Sequence, residues 1–475
     1  MAFTSAKYLI FLVLVVVAYY LINPKFRKYL LLISSYYFYM CWNAKYALLM
    51  LFSTIITYIS GILISKTDSR TKKKIYLILS FIINLGILIL FKYYSFIVEN
   101  LNEFFKMNIP ETLNLLLPVG ISFYTFQALS YSFDVYRKDI EPEKDFFKYA
   151  LFVSFFPQLV AGPIEKSKDL VPQFKNEKKF EIDNIYKGSL LILIGFIYKL
   201  VISDRAAIYV NLVYNNVGAY QNVAGNAYIY AIATILFAIQ IYFDFNAYST
   251  IARGSAKILG YNLTINFKLP YLATSIKDFW RRWHISLSSW FKEYLYFPLG
   301  GSRVGIIKNL RNIMIVFLVS GLWHGAAWTF IIWGFLHGIY QVIETLLSKY
   351  SKIHINFKPL KILITFALVC FAWIFFRANN VGDAFLIIRG LFDNFHLNRG
   401  ILLDISLIEY IILGVYLIVI GIFEILSTKV DLFEKIKKKN IIIRYTIYYI
   451  LIFSSIIFGI YGPGFSMQEF IYFQF

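Results

Sequence analysis

The chain has 475 residues, of which 59% are hydrophobic and 16% charged, and it carries a net charge of +20 from 47 Lys and Arg against 27 Asp and Glu. Soluble domains hold about a quarter of their residues as charged groups, and a water-soluble fold of this length has too little interior for so much apolar surface. Composition therefore argues against a soluble enzyme. The basic excess sits in short loops between apolar runs, which is the pattern of Lys- and Arg-rich cytoplasmic loops rather than of a nucleic-acid binder.

In chain order the clearest apolar runs are 8–22, 44–64, 75–98, 189–202, 227–243, 313–322, 329–347, 362–376, 405–426 and 446–460. Several approach the roughly 20 residues that span the hydrocarbon of a bilayer as a helix. Only helices satisfy their own backbone groups in lipid without closing a barrel. The expected fold is thus an all-α integral membrane protein of about 10–13 membrane helices, with re-entrant and amphipathic interfacial pieces. The first run ends in Asn23-Pro24-Lys25 with no small-residue cleavage site and reads as a retained helix. Residues 1–462 read as one multi-pass membrane domain, followed by an aromatic tail over 463–475.

Loop charge supplies a direction. Segments 24–28, 66–74, 166–187, 257–311 and 429–444 are basic, and the positive-inside rule places them in the cytoplasm. One apolar run follows the last of them, so the tail is expected on the extracytoplasmic side. The same count puts His284 near the cytoplasmic face and His324 higher in the membrane.

Segment 262–312 is neither freely polar nor continuously apolar. Ser275 and Asp278 have capping-box spacing. Phe279, Trp283, Leu287, Trp290 and Tyr294 then recur at steps of three and four. This predicts one amphipathic interfacial helix, with Arg281, Arg282 and Lys292 off its apolar stripe. The three cations suit either an anionic donor phosphate or lipid headgroups.

Ionisable groups at membrane depth are costly and raise a functional hypothesis. His284, His324 and His337 lie there; His354 and His396 fall in loops. Glycines flank His324 in Gly321-Leu-Trp-His324-Gly325 and leave room beside the imidazole, which as a buried neutral base suits proton abstraction. His337 reads as structural. Asp244, in the polar cluster Gln240-Ile-Tyr-Phe-Asp244-Phe-Asn246, suits either a histidine-orienting or ligand-binding role or a packing role as partner of Arg253. Cys41 and Cys370 define no disulfide framework, and neither His nor Cys occurs at metal-ligand spacing, so no metal is expected. The absence of a Gly-x-Ser-x-Gly elbow argues against serine-hydrolase chemistry within the chain.

Trp280-Arg-Arg-Trp-His284-Ile-Ser-Leu-Ser, Tyr294-Leu-Tyr-Phe-Pro-Leu-Gly-Gly301, Asn309 and Gly321-Leu-Trp-His324-Gly resemble, in order, the signature of the membrane-bound O-acyltransferases. The likeness is to the bacterial branch that O-acetylates alginate or exports D-alanyl groups to lipoteichoic acid. Leu117-Pro-Val-Gly-Ile-Ser-Phe-Tyr-Thr-Phe126, Phe156-Pro-Gln-Leu-Val-Ala-Gly-Pro-Ile-Glu165 and Tyr242-Phe-Asp-Phe-Asn-Ala-Tyr-Ser249 agree, so the core motifs cover 117–338. The resemblance implies a ring of tilted helices with a central tunnel, His324 as catalytic base and His284 as the second characteristic polar position. It implies a cytoplasmic thioester donor such as acetyl-CoA, no permanently bound cofactor, and a cell-membrane location. It also implies a polysaccharide acceptor and an extracytoplasmic serine-type (SGNH-like) partner. Arg281, Arg282, Lys292, Trp283 and Asp244 are then the donor-binding candidates.

The chain ends Phe470-Ile-Tyr472-Phe-Gln-Phe475. Such a tail suits an aromatic interfacial anchor among membrane lipids. It also resembles the Phe-x-Tyr-x-x-Phe tails of bacterial cell-envelope acylation systems, which implies that Tyr472 relays the acyl group. A phenyl ester is a good relay because phenol, with a pKa of about 10, leaves more readily than an alkanol. Two other functions are compatible with the chain. One is D-alanyl transfer from a carrier protein to teichoic acid. The other is a transporter or flippase with a histidine proton relay.

Overall fold

The computed structural model describes residues 1–112, 116–350, 356–396, 399–403, 405–462 and 469–473. Among these residues the chain is helical, with no strand. Nine helices among the described residues are long and apolar enough to cross a membrane. The shorter Ala6–Leu21 is a tenth apolar helix. His354 and residues 463–468 and 474–475 of the expected tail lie outside the described residues.

Several helices are longer than the apolar runs that announced them. Ile182–Tyr214 and Asn226–Ile258 each extend over 33 residues, and Ile306–His324 over 19. The runs 189–202 and 227–243 stop just before Asp204 and Asp244, and they contain Lys199 and Gln240. All four are buried inside the protein, so lipid never meets their polar groups.

The backbone divides into two compact units, Met1–Ile192 with Ser249–Ile265, and Leu193–Tyr248 with Asn266–Phe475. In the first unit, Ile121–Arg137 is buried along most of its length. It starts at Gly120, whose φ is +74° and whose absent Cβ would lie 2.8 Å from the Leu159 carbonyl oxygen. The close approach joins the Leu117–Phe126 motif to the Phe156–Glu165 motif and admits only glycine. Gln127 and Gln158 both donate to the Phe152 carbonyl, at 2.6 and 2.8 Å. Tyr8 donates to Ser255 at 2.7 Å, and Tyr149 to Thr57 at 2.7 Å.

Glu165 ends the second motif, 2% exposed. It accepts from the backbone N–H of Thr264 and from its hydroxyl. Burial pushes its carboxyl up from 4.5 to about 7, and the Thr264 hydrogen bonds offset part of that rise. The folded protein therefore holds this proton more tightly than the unfolded chain. The resulting stability is complete below about pH 4.5 and is lost as pH rises through about 7. Glu165→Gln should remove this decline, read as a flatter plot of Tm against pH for purified protein in detergent.

In the second unit Ile306–His324 and Trp328–Tyr350 form a tight hairpin that ends at His324. A Cβ at Gly334 would overlap the Phe317 carbonyl, and one at Gly321 the Phe330 carbonyl. Small residues at such a crossing let two membrane helices approach backbone to backbone. Leu407–Lys429 and Ile441–Phe458 are the opposite kind of helix, with few buried residues and many exposed Ile, Leu and Val side chains, which suit contact with lipid. Gly334→Ala should cost about 1–3 kcal/mol through overpacking. Gly414→Ala, where nothing lies within 4 Å of the added carbon, should leave Tm unchanged or slightly raised. Thermal melts of the two variants check the contrast.

Candidate active site

His324 is the last residue of Ile306–His324, and it is 2% exposed. The helix stops there because the backbone of Gly325 turns to an extended conformation, and a Cβ at Gly325 would strike the Phe330 ring. The Nδ1 of His324 lies 3.1 Å from the Ser320 carbonyl. A carbonyl only accepts, so in the neutral imidazole Nδ1 carries the hydrogen and Nε2 keeps its lone pair. The ring is enclosed by Trp333, Phe376 and Tyr472, with centroids at 4.8, 5.4 and 5.6 Å.

His284 is fully buried. The single amphipathic helix expected through this region does not form. Ile276–Arg282 and Ile285–Phe291 are separate helices, and His284 sits between them at φ +41°. A left-handed conformation costs a residue with a Cβ roughly 1–2 kcal/mol. It persists here because Asn266 takes the backbone N–H groups of Ile285 and Ser286, at 3.0 and 3.2 Å, while Lys268 N–H donates to the Arg282 carbonyl at 3.0 Å. The break re-aims the imidazole inward, edge-on to Phe245 at 4.5 Å and 6.5 Å from Tyr472. Burial pushes the His284 pKa down to about 3, so the ring is neutral at physiological pH. The capping box forms as the spacing predicts: Ser275 accepts from Asp278 N–H at 3.0 Å, and Asp278 accepts from Thr274 N–H at 3.2 Å.

Residues 470–472 are inside this site. Phe470 is fully buried and Ile471 2% exposed. Phe470 packs on Tyr248 at 4.4 Å, and Tyr472 on Phe245 at 4.7 Å. Residues 470–472 pack against the helices of this unit, held by their apolar bodies and by one backbone hydrogen bond. The phenolic oxygen of Tyr472 is buried with no hydrogen-bond partner among the described residues.

Asp244 explains why the segment stays there. Its Oδ2 accepts from the Ile471 N–H at 2.7 Å, and its Oδ1 accepts from Lys199 Nζ at 2.7 Å. Lys199 also lies 2.9 Å from Asp204. Both carboxylate oxygens of Asp244 are taken by this unit's own groups, one of them the Ile471 N–H.

The remaining donor-binding candidates do not converge on the histidines. Arg281 and Lys292 are exposed, Lys292 lying over the Phe297 ring, and Arg282 pairs with Asp278 at 3.0 Å. Trp283 is buried against Phe279, Phe267 and Trp373. His337 accepts from Trp280 Nε1 at 3.3 Å, a bond between two packed helices, and His396 is exposed.

The MBOAT, membrane-bound O-acyltransferase, family matches residues 143–382, a span that holds both histidines. The chain belongs to the membrane-bound O-acyltransferase family. It is a multi-pass membrane protein and an O-acyltransferase. It is 40% identical over 398 residues to the peptidoglycan O-acetyltransferase of Helicobacter pylori, covering 78% of this chain and 74% of that protein. It is likewise 40% identical over 398 residues to the probable alginate O-acetylase AlgI of Pseudomonas aeruginosa, over 82% of this chain and 75% of that one. The teichoic acid D-alanyltransferase of Bacillus subtilis is 31% identical over 282 residues, 55% of this chain and 69% of its own length.

Sequence reading passed over two residues that shape the acyltransferase site. Lys199 lies within the apolar run 189–202, and a lysine at membrane depth is itself a signal. It sits in a stretch of π-helix, Ile197–Ser203, of the kind that recurs at functional sites. Asn266, which imposes the turn at His284, carries no local signal at all. If Asp244 holds the terminus, removing only the Ile471 N–H should release it. Ile471→Pro should make the C-terminal segment markedly more sensitive to chymotrypsin and lower Tm by less than loss of the Asp244 carboxylate does, because the Lys199–Asp244–Asp204 cluster keeps its ion pairs. Equal cleavage of variant and wild type would refute the anchor. Asp244→Ala should release the segment too, and should also lower stability by about 1.5–3 kcal/mol, the loss of a charged hydrogen bond from Lys199, which keeps Asp204 as its partner.

Proposed function

We propose that this acyltransferase moves an acetyl group from acetyl-CoA, on the cytoplasmic side, toward O-acetylation of a cell-envelope polysaccharide, with His324 as base and Tyr472 as the first acceptor. The observation that supports the reading is the placement of the Tyr472 phenol, without a hydrogen-bond partner, in the same buried aromatic enclosure as His324, ring centroids 5.6 Å apart. Nε2 of His324 takes the phenol proton as the phenolic oxygen attacks the thioester carbonyl. The carbon–sulfur bond breaks, and the departing thiolate takes the proton from the imidazolium. The product is an aryl acetate on Tyr472. His284, neutral and donating through a ring N–H, stabilises the oxyanion formed at the thioester carbonyl. The enclosing tryptophans and phenylalanines keep water from competing for the thioester.

An aryl ester retains enough reactivity to pass its acetyl group to a serine-type partner on the extracytoplasmic side, which completes transfer to the polymer hydroxyl. The acetyl donor is favoured over a D-alanyl carrier because the acetyl-transferring relatives match more of the chain, and at higher identity, than the D-alanyltransferase does. Incubating purified protein with labelled acetyl-CoA and mapping the C-terminal peptide by mass spectrometry tests both steps. Label should appear on Tyr472 in the wild type, vanish in Tyr472→Phe, and form at least about 100-fold more slowly in His324→Ala, the usual loss on removing a general base. Polymer acetylation undiminished in Tyr472→Phe would sink the relay. Label from a D-alanyl carrier but none from acetyl-CoA would sink the donor.

A further inference from the structure

The first unit holds a cavity of about 360 Å³ that the acyl-transfer chemistry does not use. Two of the basic loops, 24–28 and 166–187, meet at it. Lys25, Arg27, Lys28, Lys148, Lys175 and Lys178 line it, against Glu177 as the one carboxylate among its described lining residues. Three of these cations already have partners. Lys28 and Lys148 share Asp145, and Lys175 lies 3.3 Å from Glu143. Lys25, Arg27 and Lys178 form no ion pair among the described residues.

Two of the unpaired cations, Arg27 and Lys178, are held in place rather than left on loose stems. Tyr19 and Tyr261 form the cavity's aromatic side, their hydroxyls 3.0 Å apart. The Arg27 guanidinium lies over Tyr19 at 4.8 Å and the Lys178 ammonium over Tyr261 at 5.3 Å. Arg27 also donates through Nη1 to the Lys178 carbonyl, which ties the two loops together. Its Nε is buried with no acceptor among the described residues. Burial, and then the charge of Lys257, lower the pKa of Lys178, while Glu181 raises it. Keeping like charges together costs free energy that a bound anion returns. A singly charged carboxylate would answer one of the three cations. A phosphate group has the charge and the several acceptor oxygens to answer all of them.

We propose that this cavity is a binding site for a phosphate or diphosphate group, supplied either by the nucleotide portion of a soluble donor or by an anionic lipid headgroup. The proposal does not depend on the identity of the acyl acceptor or on the roles of His324 and Tyr472.

Inorganic pyrophosphate is the probe, titrated calorimetrically into the full chain in nanodiscs of phosphatidylcholine alone. The wild type should bind it, and the double variant Lys25→Gln/Lys178→Gln should bind it at least about 10-fold more weakly, because each lost charge-assisted contact contributes of the order of 1.5 kcal/mol. Lys25→Gln alone, at an exposed loop position, should fall between the two, and it decides the matter should the double variant not fold. Competition by coenzyme A assigns the site to a soluble ligand. Loss of pyrophosphate binding in nanodiscs containing phosphatidylglycerol assigns it to a lipid headgroup. Wild type that binds no pyrophosphate, variants that bind it as tightly as wild type, or binding that neither competitor affects would each overturn the proposal.

Discussion

The second unit depends on one buried carboxylate. Asp244 faces Lys199 with one oxygen and the Ile471 N–H with the other, and Asp204 balances the far side of Lys199. Two carboxylates share one ammonium, all three side chains buried. Buried polar groups of this kind are tolerated only while hydrogen-bond donors are aimed at them. The terminal backbone supplies one of these donors. The cluster thus makes the end of the chain part of the fold, and carries Tyr472 with it into contact with the histidines.

Around this anchor the site is assembled from groups that share a dislike of water. His324 is bounded by Trp333, Phe376 and Tyr472, and His284 by Phe245 and Trp323. Such walls disfavour the charged form of the His284 imidazole and keep water away from both rings. The scaffold around them is rigid for physical reasons visible in the chain. Close packing at Gly321 and Gly334 fixes the hairpin that ends in His324, while Asn266 fixes the left-handed turn at His284.

The first unit uses charge differently. Its buried hydroxyls pair in bonds such as Tyr8–Ser255 and Tyr149–Thr57, and Glu165, its carboxyl raised to about 7 by burial, accepts from Thr264. Its concentrated positive charge is gathered at the cavity between two loops, where it remains open to a ligand. One protein thus neutralises charge internally at the terminus and presents it outward at the cavity.

Much of this was legible in the chain. Apolar runs of membrane length determine an all-helical membrane protein, since lipid offers no partner to an unpaired backbone group. The ordered motifs around His284 and His324 determine the family, and the spacing of Ser275 and Asp278 locates a helix start. Three things were decided only by the tertiary structure. The periodicity of Phe279, Trp283, Leu287 and Trp290 predicts one continuous helix, because periodicity registers which residues are apolar and is blind to a distant Asn266 that captures the backbone. Lys199 and Asp244 stand 45 residues apart, and their pairing follows from helix packing that no local pattern encodes. Tyr472 reads as the tip of an aromatic tail. Its placement rests on ring packing against Phe245 and on a backbone hydrogen bond from Ile471 to a carboxylate 227 positions away, contacts between parts of the chain that only folding brings together.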